Sequence, residues 1–343
     1  MKVRLIEGAG VEDVESWYDV WAGDALIAHV CIDDTSRGPA FGGIRTRAYP
    51  APRAAREDVR RLARAMTRKC ALAGLSAGGA KTVVPWSTAH ERLGRRDVFR
   101  VLGDVVEQLG GRYVCGPDVG TTEEDLDVVR SVTRYVNPAT NDPGRATAAG
   151  VRAAMDAAVR YVLDRTRVEG LAVAVEGLGA VGGALAEGLL EAGARVIGTD
   201  VDRRKLDAWR ERGVVACDPG DAWRVDADVY APCALGGVLR DDRVDAMGCR
   251  IVCGSANNQL AAPEVADALA ARGIVFVPDE VTSAGAVIEG VLTVLEPGID
   301  RARVDAWIDR IGRTVETMLE AAGPGLRTLA VVEAMLEERG VNR

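Results

Sequence analysis

Lysine is almost missing from this chain. Of its 43 basic residues only Lys2, Lys69, Lys81 and Lys205 are lysine, and the other 39 are arginine. Arginine serves solubility and surface pairing but does not give up its proton, whereas a buried lysine can be tuned toward neutrality. Lys2 and Lys205 are read as solvated surface charges; Lys69 and Lys81 depend on their surroundings. Positive charge is in deficit overall, since 51 acidic residues leave a formal net charge of −8 and a pI near 5.1. That argues against a broad footprint for nucleic acid or an anionic membrane. No apolar run approaches the roughly 20 residues of a spanning helix, and the opening MKVRLIEGAGVEDVE has no signal-peptide core, so a cytoplasmic protein is expected. The seven cysteines are odd in number, scattered and in no C-x-x-C spacing, which fits reduced thiols and not a disulfide framework. There are no repeats and no low-complexity linker.

What is present is a 343-residue mixture, 48% apolar and 27% charged, long enough for two domains with real cores. The run Ala25–Ile32 predicts a buried strand with His29 as a core residue, and residues 38–43 (Gly-Pro-Ala-Phe-Gly-Gly) predict a loop. Apolar residues at Val59, Leu62, Ala63, Met66 and Cys70 recur at helical spacing and place Lys69 late in a helix over 54–73. The glycines at 78 and 79 predict a break, Lys81 lying where loop becomes the short strand 82–85. A helix over 96–109 leads into a strand at 112–115, with Asp118 just past its end. A polar stretch at 141–145 precedes an alanine-rich helix, 147–163, and marks the domain boundary.

A nucleotide-type fold begins after it. The strand 171–175, a glycine turn, a helix over 183–192 and the strand 195–199 form a βαβ unit, and strands at 229–231, 250–252 and 274–277 extend it to a doubly wound parallel sheet of Rossmann type. The tail from 303 to 338 is helical apart from a break at 323–325. Gly177, Gly179 and Gly182 directly follow a strand and open a helix, so backbone amides can meet a pyrophosphate. Asp200 ends the next strand, where a carboxylate binds ribose hydroxyls and repels a 2′-phosphate, so NAD is favoured over NADP, with Arg203 and Arg204 weighing the other way. Lys69, Lys81 and Asp118 can converge on a small molecule, one lysine neutralising a carboxylate and the other acting as a base.

Several motifs occur in order: Asp34-Thr35-x-x-Gly38-Pro39-Ala40-x-Gly42-Gly43-x-Arg45, Met66-Thr67-x-Lys69, Gly78-Gly79-x-Lys81-Thr82-Val83, Asp118-Val119-Gly120-Thr121, Ala231-Pro232-Cys233-Ala234-Leu235-Gly236 and Ala256-x-Asn258-Gln259-Leu260. Together they resemble the Glu/Leu/Phe/Val amino acid dehydrogenases, above all the leucine, valine, phenylalanine and tryptophan branch, over nearly the whole chain. The resemblance implies an N-terminal α/β substrate-binding and oligomerisation domain (1–140, with C-terminal helices 303–343 packing back) and an NAD-binding Rossmann domain (145–300). It implies reversible oxidative deamination of an L-amino acid to a 2-oxo acid and ammonia by a homo-oligomer. Lys69 would bind the substrate carboxylate with the Gly42-Gly43 backbone, Lys81 would activate water, and Asp118 would shuttle protons at the amino group. Thr147, Ala256 and Asn257 would lie beside the nicotinamide half.

Three departures stand out. Ala80 replaces a glycine before the lysine, with its methyl expected toward the substrate. Ser283 replaces an asparagine that frames the substrate, and Ala286 replaces a glycine. They leave open an offshoot that diverts the imine or oxo acid to another product, and a nucleotide-sensing non-enzyme is the remaining alternative. The side-chain pocket implied by the resemblance is lined by Phe41 and Gly116, with Val315 and Met318 from the C-terminal helices. Glycine at 116 leaves room for a large apolar or aromatic side chain, unless it merely permits the turn before Pro117 and the pocket fits valine or leucine.

Overall fold

The computed structural model describes residues 3–7, 13–325 and 327–341, so Lys2 lies outside the described residues. The chain divides into two compact units, one of Met1–Asn141 with Gly290–Ile299 and one of Asp142–Glu289 with Asp300–Arg343.

In the first unit the strands are β1 (Val3–Glu7), β2 (Ser16–Ala22), β3 (Ala25–Asp34), β4 (Ala40–Arg47), β5 (Gly78–Pro85) and β6 (Tyr113–Pro117). They form one sheet in the order β1-β2-β3-β5-β4-β6. β4 runs parallel to both β5 and β6, while β3 is antiparallel to β5. Successive side chains point to opposite faces, so parity along each strand decides what a residue meets. One face carries Ile32, Ala40, Ile44, Ala80, Val84, Tyr113 and Cys115, and buries them against Phe99, Leu102 and Val105 of the helix Arg95–Gln108. Each large aliphatic side chain so buried contributes about 1.5–3 kcal/mol. The other face carries Cys31 and Val83 and packs on Ala55, Val59, Leu62 and Ala63 of the helix Pro52–Leu72. His29 is a buried residue as expected, with Nδ1 2.6 Å from Asp19 Oδ1.

Much of the two glycine stretches expected as loop and break is strand: Gly38 and Pro39 bend the chain as expected, but residues 40–43 belong to β4 and Gly78 and Gly79 to β5. An added Cβ would lie 1.8 Å from the Asp34 carbonyl oxygen at Gly78, 2.1 Å from the Thr67 nitrogen at Gly79, and 1.6 Å from the Ala80 carbonyl oxygen at Gly42. These glycines let backbones approach each other within the sheet and beneath the helix; they do not turn the chain.

The second unit holds β7 (Ala172–Glu176), β8 (Arg195–Thr199), β9 (Val215–Ala216), β10 (Val229–Pro232), β11 (Ile251–Val252) and β12 (Val275–Phe276). All pair parallel in the order β12-β11-β10-β7-β8-β9, the order of a doubly wound dinucleotide-binding sheet. The C-terminal helices differ from expectation. Arg310–Ala322 belongs to this second unit and packs on the helix Pro143–Leu163, where Gly150 gives room to Ile311. Its apolar side, Ile311, Val315, Met318 and Leu319, is buried there. No described helix is long and apolar enough to cross a membrane.

Candidate active site

In the first unit, register and parity gather the chemistry on the sheet face beneath the helix Pro52–Leu72. Phe41 is level with Gly79 and with Val114, while Gly43 is level with Gly116. Arg45 follows on the same face, level with Val83. Lys81 occupies that face on β5, between Gly79 and Val83. Asp118, one residue past β6, brings its carboxylate over it: an added Cβ on Gly43 would lie 2.8 Å from Asp118 Cβ. The two lysines singled out by their scarcity are both buried, Lys69 at 8% and Lys81 at 6% exposure. Lys69 sits in the stretch of helix seated on the β5 glycines, between Thr67, which touches Gly79, and Cys70, whose Sγ is 3.4 Å from the Gly78 carbonyl oxygen. Lys205, by contrast, is exposed.

Lys81 Nζ lies 2.8 Å from Asp118 Oδ2, and Arg45 Nε donates to the same oxygen at 3.0 Å. Burial pushes Lys81 below the usual lysine range, and the adjacent Asp118 carboxylate offsets only part of that. Burial also works to raise Asp118, but the charges of Lys81 and Arg45 outweigh it and hold the carboxyl at about 2. The result is an ionised carboxylate against an ammonium with a weakened hold on its proton, the pairing that acid–base chemistry at an amine requires.

The second unit carries the glycine turn. Gly177 has φ +90°, a conformation glycine adopts without strain, and an added Cβ would meet Ala234 Cβ at 2.8 Å. At Gly182 it would meet the Gly177 carbonyl oxygen at 1.9 Å, so the helix Ala180–Glu191 seats directly on the turn. Gly179 faces open space, with nothing within 4 Å of an added Cβ, and as N-cap it offers the first amides no side-chain acceptor. A cleared approach to uncapped amides suits a pyrophosphate. Asp200 accepts hydrogen bonds from the Leu178 N–H at 2.9 Å and the Asp202 N–H at 2.8 Å, tying the turn to the end of β8. Beside it opens a cavity of about 390 Å³ lined by Asp200, Val201, Arg203, Cys217 and Asp218.

The segment after β12 packs within this same unit. An added Cβ on Gly285 would lie 1.9 Å from the Ala146 carbonyl oxygen and 3.0 Å from Thr147 Cα. Thr147 donates its hydroxyl to the Pro143 carbonyl at 2.7 Å. Ser283 is buried, its hydroxyl donating to the Asp279 carbonyl at 2.5 Å, and Thr282 donates to the Gly254 carbonyl at 2.6 Å. Ala256 is buried with its N–H bonded to the Pro232 carbonyl, and Asn257 is exposed.

Sequence comparison matches residues 22–135 to the Glu/Leu/Phe/Val dehydrogenase dimerisation domain and residues 199–321 to the Glutamate/Leucine/Phenylalanine/Valine dehydrogenase domain. The leucine dehydrogenase of Thermoactinomyces intermedius is 38% identical over 92% of this chain and 87% of its own. The chain belongs to the Glu/Leu/Phe/Val dehydrogenase family. The valine dehydrogenase of Streptomyces coelicolor is likewise 38% identical, covering 92% of this chain and 88% of its own. Among solved structures, the L-tryptophan dehydrogenase from Nostoc punctiforme superposes with a TM-score of 0.77 at 32% identity, over 92% of this chain and 93% of its own. Family membership makes this an oxidoreductase acting on the CH–NH2 group of amino acids, which removes the non-enzymatic sensor alternative.

In this dehydrogenase Ala80 does not point where expected. It is fully buried in the core on the sheet face opposite Lys81, because adjacent strand residues alternate. Val315 and Met318 have no exposed surface and serve helix packing in the second unit, so they offer nothing to a substrate pocket. The motif places Arg45 two residues after the glycine pair without giving it a partner; the contact with Asp118 comes from the pairing of β4 with β6.

Proposed function

We propose that the enzyme catalyses NAD-dependent, reversible oxidative deamination of an L-amino acid with an apolar or aromatic side chain to its 2-oxo acid and ammonia. The observation that carries this is the buried Lys81–Asp118 pair, an ammonium and a carboxylate in direct contact on a sheet face flanked by Phe41, Gly43 and Gly116. Lys69 binds the substrate carboxylate with the Gly42-Gly43 backbone. Lys81 takes a proton from the attacking water, a role its weakened hold on its own proton supports. Asp118 exchanges protons with the substrate amino group. Gly116 leaves the side-chain pocket open, since an added Cβ there would meet only Asn137 Cβ, at 3.4 Å.

The turn at Gly177, Gly179 and Gly182 suits the pyrophosphate of a dinucleotide, and Asp200 suits an adenosine ribose without a 2′-phosphate, while Arg203 and Arg210 in the adjoining cavity weigh the other way. By resemblance, Thr147, Ala256 and Asn257 are assigned to the nicotinamide half and Ser283 to the substrate. The chemistry such a cofactor supplies when bound is hydride acceptance. The dimerisation-domain match over residues 22–135 supports a homo-oligomer.

The test is nicotinamide reduction followed by absorbance across a panel of L-amino acids, with NAD and NADP in parallel. Turnover of phenylalanine, tryptophan, leucine or valine with NAD, releasing stoichiometric 2-oxo acid and ammonia, is the expected result. Silence on the whole panel would sink the proposal, and a product of different mass would favour the offshoot.

A further inference from the structure

Arg45 is bound at both ends of its guanidinium. Nε donates to Asp118 Oδ2 at 3.0 Å and Nη2 lies 3.5 Å from Asp118 Oδ1, while Nη1 donates to Asp58 Oδ2 at 3.2 Å. Asp58, on the helix Pro52–Leu72, is itself held by the Tyr49 hydroxyl at 2.6 Å and by Arg61 at 2.7 Å. The side chains of Arg45, Asp58 and Asp118 are 14%, 13% and 16% exposed, so water screens these contacts weakly. A planar fork with several donors suits this bridging, and the compact ammonium of lysine cannot reproduce it.

We propose that Arg45 is a positioning residue for the reaction: it clamps the Asp118 carboxylate beside Lys81 and holds it in the charged form. Resting on the dehydrogenase reading, this gives the two cations different tasks. Lys81 is the one that can part with its proton, and Arg45 is the fixed charge that stays when it does. The charged and titratable groups around Asp118 are Lys81 from β5, Arg45 from β4, Tyr113 from β6, and Asp58 with Arg61 from the covering helix. Arg45 also repels the Lys81 ammonium, so its removal acts on both partners in the same direction, upward in pH.

The experiment follows the Asp118 carboxyl directly, by infrared titration of protein labelled with carbon-13 in aspartate side-chain carboxyls, with Asp118→Asn identifying the band. In Arg45→Met the protonation midpoint is expected to rise by about 1–3 pH units, with Arg45→Lys in between. On the best amino acid substrate the acid limb of kcat/KM moves upward in the same order, and Arg45→Lys recovers part of the lost kcat. If Arg45→Met does not fold, Arg45→Lys and Arg45→Gln carry the same titration. An Asp118 midpoint equal to wild type in every folded variant overturns the clamp. The carboxyl titration needs no substrate, so it decides this inference even if the amino acid panel fails; silence on that panel counts only against the parent reading.

Discussion

Asp118→Asn keeps the shape of the side chain and removes its charge, leaving Lys81 and Arg45 buried without their shared counter-ion. In the native protein Lys81 Nζ at 2.8 Å and Arg45 Nε at 3.0 Å converge on one carboxylate oxygen. Breaking a buried pair from one side costs about 3–5 kcal/mol. A second route gives a similar figure: holding Asp118 at about 2, against roughly 3.9 in an unfolded chain, is worth about 2–3 kcal/mol. A loss of about 2–4 kcal/mol near pH 6 is therefore expected. Its pH dependence is the sharper prediction. Because the Asp118 pKa is depressed, its contribution is complete above the unfolded value near 4 and is lost as pH falls through about 2. On the alkaline side Lys81 is depressed by burial, so the unfolded chain binds more protons than the folded one below about pH 10.4 and stability rises with pH there. Once folded Lys81 is neutral its attraction to Asp118 disappears in wild type, and the variant no longer buries that uncompensated charge. The gap between wild type and variant should thus be widest near neutral pH, close toward acid, and narrow toward alkaline pH without closing, because Arg45 keeps its charge and its contact with Asp118. Guanidinium unfolding of both proteins at several pH values measures it. A gap that is absent near pH 6, or constant from neutral to alkaline pH, would refute the reasoning.

Gly182→Ala places a methyl 1.9 Å from the Gly177 carbonyl oxygen, so the free protein should lose about 1–3 kcal/mol, whereas Gly179→Ala meets no atom within 4 Å and should leave the free protein's Tm near wild type. Both should weaken the rise in Tm that NAD produces, and melting curves with and without NAD separate the two effects. Gly116→Ala meets Asn137 at ordinary contact distance, so it should fold normally while lowering the ratio of kcat/KM for phenylalanine over valine by about tenfold. An unchanged ratio would remove Gly116 from the pocket. Ala80→Gly should cost about 1 kcal/mol in unfolding experiments and leave kcat/KM unaltered, because the methyl lies in the core on the face away from Lys81.

Much of this protein was legible from its residues because the signals are local. The Rossmann turn is one: strand, three glycines and helix are contiguous, and Gly182 is required by the Gly177 carbonyl within that same segment, although the close neighbour of Gly177 is Ala234 in the loop after β10. The lysine pair is another. In a chain that uses arginine almost everywhere, a lysine that persists is conspicuous, and both Lys69 and Lys81 are buried. Asp118 was marked in the same way, by its position just beyond a strand end.

Only the tertiary structure decided the remaining points. Glycine at 42, 43, 78 and 79 is equally compatible with a turn and with close approach, and the distinction depends on what lies across the sheet: the Ala80 and Asp34 carbonyls, Thr67 on the helix and Asp118 beyond β6. Whether Ala80 faces substrate or core is a matter of strand parity, which has no meaning until the glycines before it are known to be strand. The C-terminal helices carry an apolar side that any core could bury, and packing at Gly150 and Gly312 chose the second unit for Arg310–Ala322. Arg45 is one of 39 arginines. Nothing in its own neighbourhood of sequence indicates that it meets Asp118, 73 residues away, because that contact exists only once β4 pairs beside β6 and aligns their side chains on one face.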